Sequence, residues 1–127
     1  MLENSCYCCS GKAFEICCQP FLRGNRTPLI PEELMRSRYT AYVLANVDYL
    51  LETTLPSKRE LYSRREIERW AKNSHWQKLE IIETEENIVM FKAYYRDKKL
   101  RPFVHYERSV FEQQEGKWYY ADGTIIE

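Results

Sequence analysis

The sequence predicts an α+β protein with a separate cysteine-rich segment at its amino terminus, and three observations carry that reading. All five cysteines fall between Cys6 and Cys18. Apolar residues at helical spacing follow, through to about residue 73. After Trp76 the texture changes to β-branched and aromatic runs separated by turn residues. Helices first and strands afterwards is the pattern of helices packed on one face of an antiparallel sheet.

The elements follow in order. Residues 19–31 carry Pro20, Gly24, Pro28 and Pro31 and read as a linker that is neither continuous helix nor central strand. Pro31 suits a first helical position. From Glu32 to Asn46, Leu34, Met35, Ala41, Tyr42 and Ala45 share one face. Asp48 is placed to cap a short continuation over Tyr49 to Leu55, which stops at Pro56. Two capping-box patterns come next, Ser57 with Glu60 and Ser63 with Glu66, the second opening a short helix that ends near Asn73.

Strands are predicted over Leu79 to Glu83 and Ile88 to Tyr95, joined at Glu85-Glu86-Asn87. A long alternating strand runs from Pro102 to Gln113. It turns at Gln114-Glu115-Gly116 into Lys117 to Ala121, and Asp122-Gly123 marks a further turn.

Length and charge bound the function. A chain of 127 residues holds one compact domain and a small appendage. Ten Tyr, five Phe and three Trp bury enough area for a core in so short a chain, and Trp70, Trp76 and Trp118 are read as core and wall. Lys plus Arg and Asp plus Glu both number 19, so the formal net charge is zero. That balance argues against binding nucleic acid by broad phosphate neutralisation. The basic run from Arg96 to Arg101 reads as a solvated loop between strands. No apolar stretch has the length of a signal peptide or a membrane span, so the expected location is the cytoplasm, where thiols stay reduced.

The cysteine pattern is Cys6-Tyr7-Cys8-Cys9-Ser10-Gly11, then Cys17-Cys18. Zinc takes four thiolates in a tetrahedron. A Cys-x-Cys pair bends around a metal from one side, and Cys17-Cys18 closes it from the other. Disulfides compete with this reading. Bonding the neighbours Cys17 and Cys18 would strain the preferred dihedral, and longer-range pairs leave one thiol over. Metal is the favoured alternative.

Cys6-x-Cys8-x-Ser10-Gly11-x-x-Phe14-x-x-Cys17-Cys18 resembles the SEC-C zinc motif. That resemblance implies Cys6, Cys8, Cys17 and Cys18 as ligands of a structural zinc. Cys9 stands where the motif usually has Gly, and Tyr7 where it usually has Pro, so Cys9 is a spare thiol that either swaps in or stays free.

Leu34-Met35-Arg36-Ser37-Arg38-Tyr39-Thr40-Ala41-Tyr42, His105-Tyr106-Glu107-Arg108-Ser109-x-Phe111 and Gly116-Lys117-Trp118-Tyr119-Tyr120-x-Asp122-Gly123 extend the likeness. Together they resemble the YchJ-like family, over nearly the whole chain. The resemblance implies a SEC-C knuckle over residues 1–24 and a cone similar to nuclear transport factor 2 over residues 25–127, with helices packed on a curved antiparallel sheet. The usual family spelling is His-Glu-Arg-Ser, so Tyr106 is a departure that puts His105 and Glu107 on one strand face. Many family members carry a second carboxy-terminal knuckle, which these residues do not include.

One residue is out of place in the second part. Helical spacing puts Arg38 in the middle of the apolar stripe, with Arg36 on the opposite face. A guanidinium there must reach the edge or meet an anion. On the long strand Phe103, His105, Glu107, Ser109 and Phe111 share one face, and Val104, Tyr106, Arg108 and Val110 the other. Two readings follow. In one, Arg38, His105 and Glu107 are site residues in the pocket this fold often lines with its concave sheet. Ketosteroid isomerase and scytalone dehydratase, of related fold, hold acid–base groups there. In the plainer and preferred one, Glu107 neutralises Arg38 as a structural ion pair, since fold analogy does not carry an activity.

The expected function is therefore that of a non-enzymatic binding or adaptor protein. Its knuckle docks on a protein or ribonucleoprotein partner, and its second part supplies a scaffold or a small-molecule pocket. The rival is a small-molecule enzyme of lyase, isomerase or hydrolase type with His105 and Glu107 as acid–base groups. Because of the Pro-rich linker, residues from about Pro28 onward are expected to fold without the knuckle.

Overall fold

Four antiparallel strands in the order β1-β2-β3-β4 form a meander: β1 His75–Glu85, β2 Ile88–Arg96, β3 Pro102–Gln114 and β4 Lys117–Ile125. This is seen in a computed structural model that describes residues 4–127. Met1-Leu2-Glu3, where the sequence was read as lacking a signal peptide, lies outside the described residues. Before the sheet come α1 Gln19–Leu22, α2 Pro31–Val43, α3 Val47–Glu52 and α4 Arg64–Asn73, with 3₁₀ turns at Phe14–Ile16 and Pro56–Leu61. The α+β class and the knuckle-then-cone order are those expected. No helix among the described residues is long and apolar enough to cross a membrane.

Local chemistry explains the elements. Ser63 accepts a hydrogen bond from the Glu66 amide and starts α4, as its capping box predicts. The Ser57 box yields only a 3₁₀ turn with no side-chain cap, because Pro56 and the anchoring of Arg59 to the Thr54 carbonyl hold it tight. Helix α3 starts two residues earlier than Asp48 suggests, since the Asn46 side chain caps the Tyr49 amide at 3.1 Å. Ala45, at φ +54°, breaks the chain between α2 and α3 and shortens the helix expected to reach Asn46. The stretch read as linker contains the single turn α1, which buries Phe21. The basic run closes on itself, Asp97 accepting from the Lys99 and Arg101 amides and from Arg101 Nε.

Two departures matter for the site. Strand β4 does not turn at Asp122-Gly123 but continues to Ile125, with Gly123 opposite Ser109 and Ile125 opposite Glu107. A bulge at Val110/Phe111 shifts the register and sets Tyr120 opposite Phe111.

The second concerns α2, which is covered on nearly all sides: Leu34, Met35, Ser37, Arg38, Tyr39, Thr40 and Ala41 are all buried. The sheet covers one side and the cysteine segment another. Cys6, Cys8 and Cys18 belong to the same core as Leu34, Met35, Tyr39, Val89, Phe91 and Phe111. Arg36, on the face opposite Arg38, donates to the Cys8 carbonyl at 2.7 Å and to Glu32 at 2.9 Å, and so ties the segment to the helix. The expected independence of the second part meets this shared core.

Candidate metal centre and cone pocket

The cysteine segment folds around its own backbone bonds. Cys6 N donates to Lys12 O at 2.8 Å, Phe14 N to Asn4 O at 2.8 Å, and Ser5 bridges Ala13, giving a narrow hairpin. The 3₁₀ turn that follows returns the chain, so Cys17 and Cys18 face Cys6 and Cys8. The sulfurs of these four lie within 4.8 Å of one another, with Cys8 and Cys17 Sγ 3.6 Å apart. A tetrahedron of thiolates about 2.3 Å from a central ion sets its sulfurs about 3.8 Å apart, so the cluster has the dimensions of a metal site. All five cysteines are free of disulfides.

Around the cluster, Ser10 Oγ lies 3.2 Å from Cys17 Sγ and accepts from the Lys12 amide. Burial pushes the Cys17 thiol up to about 11 in the absence of a cation. A bound cation would draw the proton from a thiol held in this way, because a metal takes the thiolate. Cys9 lies outside the group. It is exposed and takes φ +65°, the left-handed conformation that a glycine adopts most easily. Its sulfur accepts from the Leu79 amide at 3.4 Å, so the fifth cysteine is a contact to β1 and not a member of the cluster.

The second site is a cavity of about 180 Å³ between α2, α4 and the inner face of the sheet. Arg38, His105 and Glu107 all line it, as the sequence suggested. The alternation on β3 holds as expected, with Glu107, Ser109 and Phe111 buried on the inner face.

The expected Arg38–Glu107 ion pair is absent among the described residues. Glu107 is instead capped by neighbours on the sheet. His105 Nε2 donates to Oε1 at 2.7 Å, and the hydroxyls of Ser109 and Tyr120 donate to Oε2, the latter at 2.9 Å. Burial works to raise the Glu107 pKa, but these donors outweigh it and hold the carboxyl below its ordinary value. An ionised carboxylate only accepts, so the proton of this bond sits on His105 Nε2. Burial, and then the Glu107 charge, push the Tyr120 hydroxyl pKa upward and keep it a donor.

Arg38 spends its Nη1 on the Leu50 carbonyl at 2.9 Å and Thr53 Oγ1 at 2.7 Å, and its Cζ lies 4.5 Å from the centre of the Tyr120 ring. The segment supplying those acceptors is pinned to the sheet, with Leu55 N donating to Tyr120 O and Tyr120 N to Thr53 O. Tyr120 thus stands between the two charges, its ring under the guanidinium and its hydroxyl on the carboxylate. Sequence reasoning did not single it out. Its position depends on the β-bulge, and the run Trp118-Tyr119-Tyr120 offers no alternation by which to choose.

The walls are aromatic. Trp70 packs against Tyr42, Trp76 and His105 with ring centroids 5.2, 5.3 and 5.2 Å away. Trp118 lies elsewhere and bonds the Leu29 carbonyl.

A four-cysteine knuckle fused into the core of a helix-backed antiparallel cone defines the class to which this protein belongs. Residues 30–123 match the family model described as the YchJ middle NTF2-like domain. A UPF0225 protein of Haemophilus influenzae is 41% identical over 98% of this chain and 79% of its own length. Another from Geobacter sulfurreducens is 40% identical over 98% of this chain and 81% of its own. The solution structure of a SEC-C motif containing protein from Rhodopseudomonas palustris superposes with a TM-score of 0.89 at 36% identity, covering 96% of this chain and 98% of that one. A crystal structure of a SEC-C motif containing protein from Psychrobacter arcticus gives 0.74 at 29% identity, covering 93% and 75%. The chain belongs to the YchJ family, and its relatives are bacterial.

Proposed function

We propose that this chain is a zinc-stapled binding protein: residues 1–24 form a knuckle in which Cys6, Cys8, Cys17 and Cys18 hold a structural zinc, and the cone over residues 25–127 presents a pocket for a small organic ligand. The all-cysteine donor set supports zinc, and four protein ligands leave no open position for catalysis at the metal. Zinc would supply there the cross-link between the hairpin that carries Cys6 and Cys8 and the Cys17-Cys18 turn, while Arg36 ties that hairpin to α2. Thiols kept reduced in this way fit a cytoplasmic protein.

The observation that carries the pocket reading is the cavity itself, with fixed polar groups on its floor and aromatic rings on its walls. Glu107 already holds three donors, which makes it a rigid frame and not a mobile acid. The test is a fragment screen of the full chain by two-dimensional NMR. Bound fragments should shift resonances of Arg38, Tyr42, Trp70 and His105. If no fragment moves that set, the pocket reading falls.

A second reading, of adaptor type, draws on the knuckle's outer rim, where Tyr7 and Ile16 are 46% and 65% exposed. Apolar side chains so placed suit docking on a protein or on the protein part of a ribonucleoprotein. Ile16→Glu should leave zinc content unchanged while abolishing co-purification with any partner that depends on the knuckle. Unchanged co-purification removes this reading. The enzymatic alternative rests on His105, oriented by Glu107 through its Nε2. In the binding reading a bound ligand leaves the pocket chemically unchanged, and His105→Ala alters affinity alone; turnover that is lost in His105→Ala would favour the enzyme.

A further inference from the structure

We infer that the cone pocket is built for a small planar organic anion, a single-ring aromatic carboxylate, whose carboxylate meets the Nε–Nη2 edge of Arg38. This rests on the pocket reading above and adds the ligand's chemical class.

The argument starts from how Arg38 is buried. The residue is only 6% exposed, yet no carboxylate reaches its guanidinium among the described residues. Every hydrogen bond it makes among the described residues uses Nη1. Nε and Nη2 have no partner among the described residues, although no side-chain nitrogen or oxygen sealed from solvent lacks one there. Both atoms therefore keep access to solvent, and Arg38 lines the cavity. Nε and Nη2 lie in one plane and donate in parallel, the arrangement that a carboxylate meets with two bonds. A guanidinium this deep without an anion is costly, so a ligand that brings one gains more than a neutral molecule of equal shape.

The carboxylate already present does not serve. Glu107 is turned away by its three donors and separated from Arg38 by the Tyr120 ring. Its charge is dispersed over those bonds, which lowers the repulsion a second carboxylate meets. The rest of the ligand follows from the walls. Tyr42, Trp70 and Trp76 form a cluster with centroids 5.2 to 5.6 Å apart, a surface for edge and face contacts with a ring. A cavity of about 180 Å³ is slightly larger than one that accepts benzene. One ring and a carboxylate suit a cavity of this volume.

The test uses the full zinc-loaded chain and two probes of equal shape, benzoate and benzamide, read by fluorescence of Trp70 and Trp76 and by NMR shifts. Benzoate should bind at least about tenfold more tightly than benzamide. Arg38→Met should bring the two affinities together by weakening benzoate alone. Since Arg38 also holds Leu50 and Thr53, the wild-type comparison decides the matter if that variant does not fold. Equal binding of both probes overturns the anion inference and leaves the pocket reading standing. Binding of neither overturns both.

Discussion

The carboxylate of Glu107 occupies the space that a side chain at Gly123 would need. A Cβ built on Gly123 overlaps Glu107 Oε2 and Tyr120 Oη, across the pairing of β3 with β4. Gly123 is therefore glycine for room and not for a turn. Gly123→Ala must push the carboxylate or the phenol aside and break their hydrogen bond, at a cost of about 1.5–3 kcal/mol for a bond to a charged group. In a Glu107→Ala background the same substitution should cost much less, and a double-mutant cycle by thermal denaturation measures the difference.

The Glu107 network also gives stability a pH dependence. Its folded pKa lies below its ordinary value of 4.5, so the unfolded chain takes up the proton first as pH falls. The stabilisation is complete above that unfolded value and is lost as pH drops through the folded one. Glu107→Gln should lower Tm near neutrality and flatten the acid limb below the ordinary value of 4.5. Parallel acid limbs for the two proteins would contradict the assignment.

Much of this site was legible in the sequence, for reasons particular to its residues. Period-two alternation on β3 placed His105, Glu107 and Ser109 on one face, because a strand leaves no other choice. Helical spacing placed Arg38 inside. What alternation could not supply was the partner of each charge, which depends on how β4 slides past β3. The bulge at Val110/Phe111 and the straight passage through Asp122-Gly123 decide that, and Asp-Gly is a turn signal in most contexts. The same holds for Arg36. Its face was read correctly, but that this face meets Cys8 is a fact of tertiary packing.

The shared core yields a prediction opposite to the one drawn from the Pro-rich linker. A chain starting at Pro28 lacks Cys6, Cys8, Cys18 and Phe21, all buried, and strips one side of α2. Differential scanning calorimetry of that truncation should show a Tm far below that of the full chain, or no cooperative transition. A transition matching the full chain's would restore the two parts as independent domains.

Cys9 and Cys17 should behave differently on substitution. Cys17→Ser removes a ligand and should release the metal and destabilise the fold, since metal binding is coupled to the ordering of its ligands. Cys9→Ser leaves the four-sulfur cluster intact and should retain the metal. Metal loss in both variants would place Cys9 in the coordination sphere.

The most direct measurement is the metal content of the full chain, purified without chelator and under reducing conditions, with thiols titrated in parallel. The expected result is one zinc per chain, with Cys9 alone reacting rapidly with a thiol reagent until a chelator exposes the other four. Absence of zinc together with quantitative disulfide content would contradict the stapled knuckle.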